Sequence, residues 1–168
     1  MVTDFKTQLK KVMESDEYKT FVKEHGDYKL AHGFVQLDSD GAESKEWQIG
    51  FYSQTQDNIA TFTTDPVKFN AFEKAFKDDN ASIQELTETN EFIETEQAIS
   101  IVKNHTQEQY PKERIRTIIV VIQMLEGKQT YNITAVTESF TMVICKIDAK
   151  NGELLSADKR SVLELKKE

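Results

Sequence analysis

The strongest pattern along the chain is a stretch from Arg114 to Leu155 in which apolar runs are broken twice by turns. Ile115, Ile118, Ile119, Val120, Val121, Ile122, Met124 and Leu125 are nearly continuous. Their β-branched content suits a pleated strand, and apolar residues at both parities predict burial on both faces. Glu126-Gly127-Lys128 supplies a turn. From Tyr131 the pattern alternates. Tyr131, Ile133, Ala135 and Thr137 fall on one side and Asn132, Thr134, Val136 and Glu138 on the other, as in a half-buried strand. Met142 to Ile147 is a third strand. Asp148-Ala149-Lys150-Asn151-Gly152 closes it with a turn in which Asn-Gly suits positive φ.

Upstream, residues 4–24 read as helix, with Phe5, Leu9, Val12 and Met13 on one stripe and Asp4 at the start. Ser15-Asp16 predicts a break into two helices, and Gly26 takes the position after the second. Tyr28 to Asp38, Glu46 to Ser53 and Asn58 to Thr64 read as strands. Asp65-Pro66 then predicts a helix over 66–77, because Asp caps and Pro fits the first helical position. Val67, Phe69, Phe72, Ala75 and Phe76 form its apolar side, and Asp78-Asp79-Asn80 end it. Residues 83–92 read as a short strand or a loop. A further helix starts at Glu94 or Thr95, buries Ala98, Ile101 and Val102, and ends before Pro111. The tail beyond Ser156, with Val162, Leu163 and Leu165, is too short to assign.

The two halves share an order of helix, strand, turn, strand, turn, strand. Gln36 matches Gln123, Trp47 to Phe51 matches Tyr131 to Ala135, and Ile59-Ala60-Thr61 falls on Val143-Ile144-Cys145. The order points to an internal duplication, although two small units sharing one generic pattern would match as well. The expected fold is α+β, with tandem helix-on-antiparallel-sheet units over 1–79 and 80–168, each of three or four strands, standing apart or packed as one globular domain.

Composition narrows the function. The 168 residues carry a net charge of −8 and a pI near 5.0, which argues against nucleic acid, since phosphate binding needs clustered Lys and Arg. The single cysteine, Cys145, allows no internal disulfide. It sits in an apolar strand and reads as an inert buried thiol. No apolar run reaches membrane-spanning length, and residues 1–20 lack an export signal. The expectation is a cytoplasmic protein, or an extracytoplasmic one if a leader has been removed. His25, His32 and His105 show no metal-binding spacing. Asp38-Ser39-Asp40-Gly41 begins like a calcium loop but lacks its downstream ligands, and the same residues serve a hairpin. No nucleophile elbow or phosphate loop occurs. The expectation is a non-enzyme without cofactor or metal.

The second half resembles the PepSY-type repeat of peptidase propeptides. Ile93-Glu94-Thr95-Glu96-Gln97-Ala98 looks like that family's helix start. Tyr131-Asn132-Ile133-Thr134-Ala135 and the closing Asp148-Ala149-Lys150-Asn151-Gly152 look like its strand and hairpin. The first half carries Thr64-Asp65-Pro66 where the second has the hairpin. The resemblance implies a helix on an antiparallel sheet and a non-catalytic role, binding or inhibiting a peptidase or serving an envelope component. It brings no catalytic residues.

Aromatics crowd the first sheet. Trp47 and Phe51 share the face expected against the helix, and Tyr52 points the other way. Phe34, Tyr52 and Gln54, with Asp38 and Asp40 of the neighbouring loop, make up the candidate contact surface for a protein or peptide partner. The outer sheet face needs a cover, expected from within the chain, either the other half or the helix over 66–77, which is apolar enough to serve, with a second protomer as the other option. Two other readings stand beside a binding module: a small-ligand domain with a pocket between helix and sheet near His32 and Trp47, and a structural homodimer.

Overall fold

The computed structural model describes residues 2–75 and 83–162. Phe76 and Asp78-Asp79-Asn80 of the expected helix, the 79/80 boundary, and Leu163 and Leu165 of the tail lie outside the described residues. The fold is α+β. Helices α1 (Phe5–Met13), α2 (Asp16–Glu24) and α3 (Thr95–Gln109) accompany strands β1 (Lys29–Leu37), β2 (Glu43–Ser53), β3 (Asn58–Thr64), β4 (Val67–Lys74), β5 (Ile115–Leu125), β6 (Lys128–Thr137), β7 (Thr141–Asp148) and β8 (Leu154–Ser161). All eight strands form one antiparallel sheet in the order β4-β3-β2-β1-β5-β6-β7-β8. Two meanders therefore meet edge to edge, with β1 and β5 paired from His32 opposite Gln123 to Leu37 opposite Ile118.

The helices lie on one face of the sheet. Phe5, Leu9 and Val12 of α1 and Ala98, Ile99 and Val102 of α3 join a single buried core with Trp47, Ile49, Phe51, Phe62, Ile118, Val120, Ile122, Tyr131, Ile133 and Cys145. The helix starts are cross-tied. Asp4 caps α1 by accepting from the Lys6 amide (3.2 Å) and also accepts from the Thr95 amide (2.8 Å). Thr95 Oγ1 in turn accepts from the Phe5 amide (3.0 Å). The Tyr131 hydroxyl donates to the Ile93 carbonyl (3.0 Å) and lies 3.1 Å from Thr95 Oγ1. Ser15 caps α2 through the Tyr18 amide, so the predicted break between the first two helices is present.

Four expectations need correction. Residues 67–74 form strand β4 and not a helix, and the cis Asp65–Pro66 bond lies in the tight turn joining it to β3. The ladder has a bulge at Asn70, with Thr61 paired to Ala71 and Phe62 paired to Phe69. The extra residue puts Phe69 and Phe72 on the same face three positions apart, which imitates helical spacing. As a strand, this segment cannot be the helical cover foreseen for the outer face. Secondly, β5 is buried on one face only: Ile118, Val120 and Ile122 are buried, while Ile119 and Val121 are half-exposed because, among the described residues, no helix packs on their side. Thirdly, Ile49 pairs with Phe62 where Ile133 pairs with Cys145, so the correspondence between β3 and β7 shifts by one residue from the sequence match. Lastly, the tail supplies an eighth strand, β8, against β7. Residues 83–92 are loop and a short 3-10 turn, Thr89–Glu91, tied to the sheet where the Leu86 amide donates to Leu30 O (2.9 Å).

Candidate functional site

Side chains alternate across a strand, so each strand that buries one parity against the helices offers the other to the opposite face. On that outer face, at the seam of the two meanders, Phe34 stands between Gln48 of β2 and Val121 of β5. Ile119 stands between Gln36 and Thr134, and Ile144 lies opposite Thr134 on the next strand. All of these are half-buried. The result is an apolar band across the middle of the sheet with polar neighbours. Asn132 belongs to it, and its Oδ1 is buried without a hydrogen-bond partner among the described residues.

One end of the face is covered. Tyr52, Ala31 and Ala75 form a small buried cluster with Ile59 and Ile83. Tyr52 does point away from Trp47, as the alternation requires, but only 7% of it is exposed and its hydroxyl is 2.5 Å from Asp57 Oδ1. Beside this cluster a cavity of about 150 Å³ is lined by His32, Gln84, Gln123 and Met124 together with Ala31, Ile59 and Ile83. The imidazole lies on Gly50, where any Cβ would collide with it. Burial lowers the His32 pKa from its ordinary value of 6.5.

The five candidate contact residues do not form one patch. Phe34 lies on the open band, and Tyr52 lies under the cluster. Asp38 and Asp40 sit in the β1–β2 loop, while Gln54 sits in the β2–β3 turn at the far end of β2, roughly 30 Å away at the usual strand rise. Asp38 spends its carboxylate on its own loop, accepting from the Asp40 and Ala42 amides at 3.0 Å each. Among the described residues no three His, Cys, Asp or Glu side chains converge on a metal position. Burial pushes the Cys145 thiol up to about 11.

The helix–sheet interface is packed. Trp47 is fully buried, packs against Phe5 with the rings tilted (centroids 5.6 Å) and donates its indole N–H to the Thr3 carbonyl (3.0 Å). His32 and Trp47 face opposite sides of the sheet, so they do not line a common pocket. Sequence reasoning missed Val121 and Ile119 as surface residues. Their apolar run looked doubly buried, and nothing local records how many faces the helices will cover.

No protein-family model matches the chain, and no curated protein does. The fold is similar to the crystal structure of a protein from Clostridium difficile 630 named provisionally as a lipoprotein. The TM-score is 0.55 at 16% identity, over 89% of this chain and 99% of that one. This likeness shows the fold. Among the described residues no helix is long and apolar enough to cross a membrane.

Proposed function

We propose that the chain is a non-catalytic binding module of PepSY-like build that engages a protein or peptide partner with the outer face of its sheet. The observation that carries this reading is the band of Phe34, Val121, Ile119 and Ile144, half-exposed on the face opposite α1, α2 and α3. An apolar band rimmed by polar strands suits a partner surface. The packed helix–sheet interface and the small His32 cavity favour it over a small-ligand pocket near His32 and Trp47, since such pockets usually exceed roughly 300 Å³.

Two stretches behind the PepSY resemblance touch each other, which supports it. The Ile93 amide donates to Ala149 O (2.7 Å), joining the helix start to the closing hairpin. In that hairpin Asp148 Oδ1 accepts from the Lys150 and Asn151 amides (2.9 and 3.1 Å), and Gly152 takes φ +78°. The ladders support duplication into tandem units. Phe34 faces Gln48 as Val121 faces Asn132, and Ile49 faces Phe62 as Ile133 faces Cys145. The resemblance and the name of the structural neighbour both favour a setting outside the cytoplasm.

The test is site-specific photo-crosslinking in the native cell, with the crosslinker at Phe34 or Val121 and a control at exposed Lys103 on α3. A discrete adduct from both sheet positions, absent from Lys103 and lost in a Phe34→Asp chain crosslinked from Val121, is the expected result. Adducts indistinguishable from those of Lys103 would sink the reading. An adduct of twice the chain mass, with elution that depends on concentration in sizing chromatography, would replace it with the homodimer.

A further inference from the structure

The edge of the sheet farthest from the seam carries a second, different surface. On the helix side of β4, Phe69 and Phe72 lie with ring centroids 4.9 Å apart, and they are 37% and 46% exposed. Two neighbouring phenyl groups left this open on an edge strand are costly in water. They are held in place from below: Phe69 stacks on Phe21 of α2 at 5.8 Å and meets Phe62 edge-on at 5.8 Å. Phe72 meets the His25 ring at 5.5 Å. The rings are thus the fixed floor of a groove of about 360 Å³ between α2 and β4.

The rim of that groove is acidic. Asp16, Glu17 and Glu24 line it. Glu17, Phe21 and Glu24 recur at helical spacing, so carboxylates and an aromatic alternate along one stripe of α2. Among the described residues none of the three carboxylates has an ion-pair partner, whereas Glu88, Glu91, Glu94 and Glu113 each have a lysine. Aromatic faces attract cations through their quadrupole, and nearby carboxylates add Coulomb attraction. An anionic or neutral apolar occupant would leave this rim unused.

We propose that the α2–β4 groove binds a basic peptide segment, seating an arginine or lysine side chain over Phe69 and Phe72 with its charge among Asp16, Glu17 and Glu24. The occupant lies along the groove and does not add a ninth strand: the β4 edge carries the Asn70 bulge and exposed Lys68 and Lys74, features that resist strand pairing. The site is on the opposite face from the Phe34 band and does not depend on it.

The experiment uses the whole chain, 15N-labelled, titrated with the blocked peptide acetyl-Ala-Arg-Phe-Arg-Ala-amide and with its citrulline counterpart, which keeps shape and loses charge. Saturable shifts confined to α2 and β4, at least tenfold weaker with citrulline and in Glu17→Gln/Glu24→Gln, and weakened by salt, are expected. Phe72→Leu should weaken binding while leaving the spectrum of the core unchanged, and Phe34→Asp should leave it intact. Absence of shifts at millimolar peptide, equal binding of the citrulline peptide, equal binding of free argininamide, or undiminished binding by the double variant would each overturn the proposal.

Discussion

At the scale of single residues, His32 shows how burial and position set a measurable property. Its ring fills the space that Gly50 leaves open, on the half-covered end of the outer face. Burial disfavours the imidazolium, so the folded protein holds fewer protons here than the unfolded chain below about pH 6.5. Stability is therefore fully present above 6.5 and falls as the pH drops below it. We predict that the melting temperature of the protein declines more steeply between pH 6.5 and 5 than that of His32→Gln, read by thermal scans of both across that range. Equal slopes would show that His32 is protonated freely in the fold. Tyr52 is the instructive miss at this scale. Alternation gave its direction correctly, but its cover comes from Ala31, Ala75 and Ile59, which no local pattern around Tyr52 announces.

At the scale of elements, the ties between helix starts carry more than their share of the architecture. Asp4 serves two helices, one in each half of the chain, and its loss would leave the amides of Lys6 and Thr95 without this acceptor. Asp4→Ala should cost about 1–2 kcal/mol and Asp4→Asn part of that, because the two amides use both carboxylate oxygens and Asn keeps one acceptor oxygen; the midpoint of urea unfolding checks both. A cost near zero for Asp4→Ala would mean that water replaces the carboxylate at both helices. Much of the element list was legible from the sequence. The two N-terminal helices and the helix before Pro111 follow from their apolar stripes, and β1 to β3 and β5 to β7 from alternating or continuous apolar runs closed by turns, although the ladders of β1 and β5 carry irregularities. β4 was not legible, because the bulge at Asn70 changes its period midway and Asp65-Pro66 carries a helix-start signal. The candidate contact surface was legible only in part. Phe34 lies on the open face, but Asp38 and Gln54 end up at opposite ends of β2, since sequence proximity across two hairpins says nothing about which ends the turns occupy.

At the scale of the whole molecule, one sheet and one buried cluster run through both halves. Trp47 reports on the first half and Cys145 on the second, and both are fully buried in that cluster. Unfolding is therefore expected to be a single transition. Trp47 fluorescence and the reactivity of the Cys145 thiol toward a small disulfide reagent should give the same denaturant midpoint. Two separated midpoints would mean that the halves are independent units that merely adjoin.

The seam between β1 and β5 has a consequence for synthesis on the ribosome. β1 is complete about 80 residues before β5 begins. At about 5–20 residues per second, its outer hydrogen-bonding edge waits roughly 4–16 s for its partner strand. During that interval the first meander presents an open, apolar edge at Phe34, and the β1 of a neighbouring nascent chain is the nearest strand of matching shape. Polysomes crowded with this message would pair chains by that edge unless a chaperone holds it until β5 emerges.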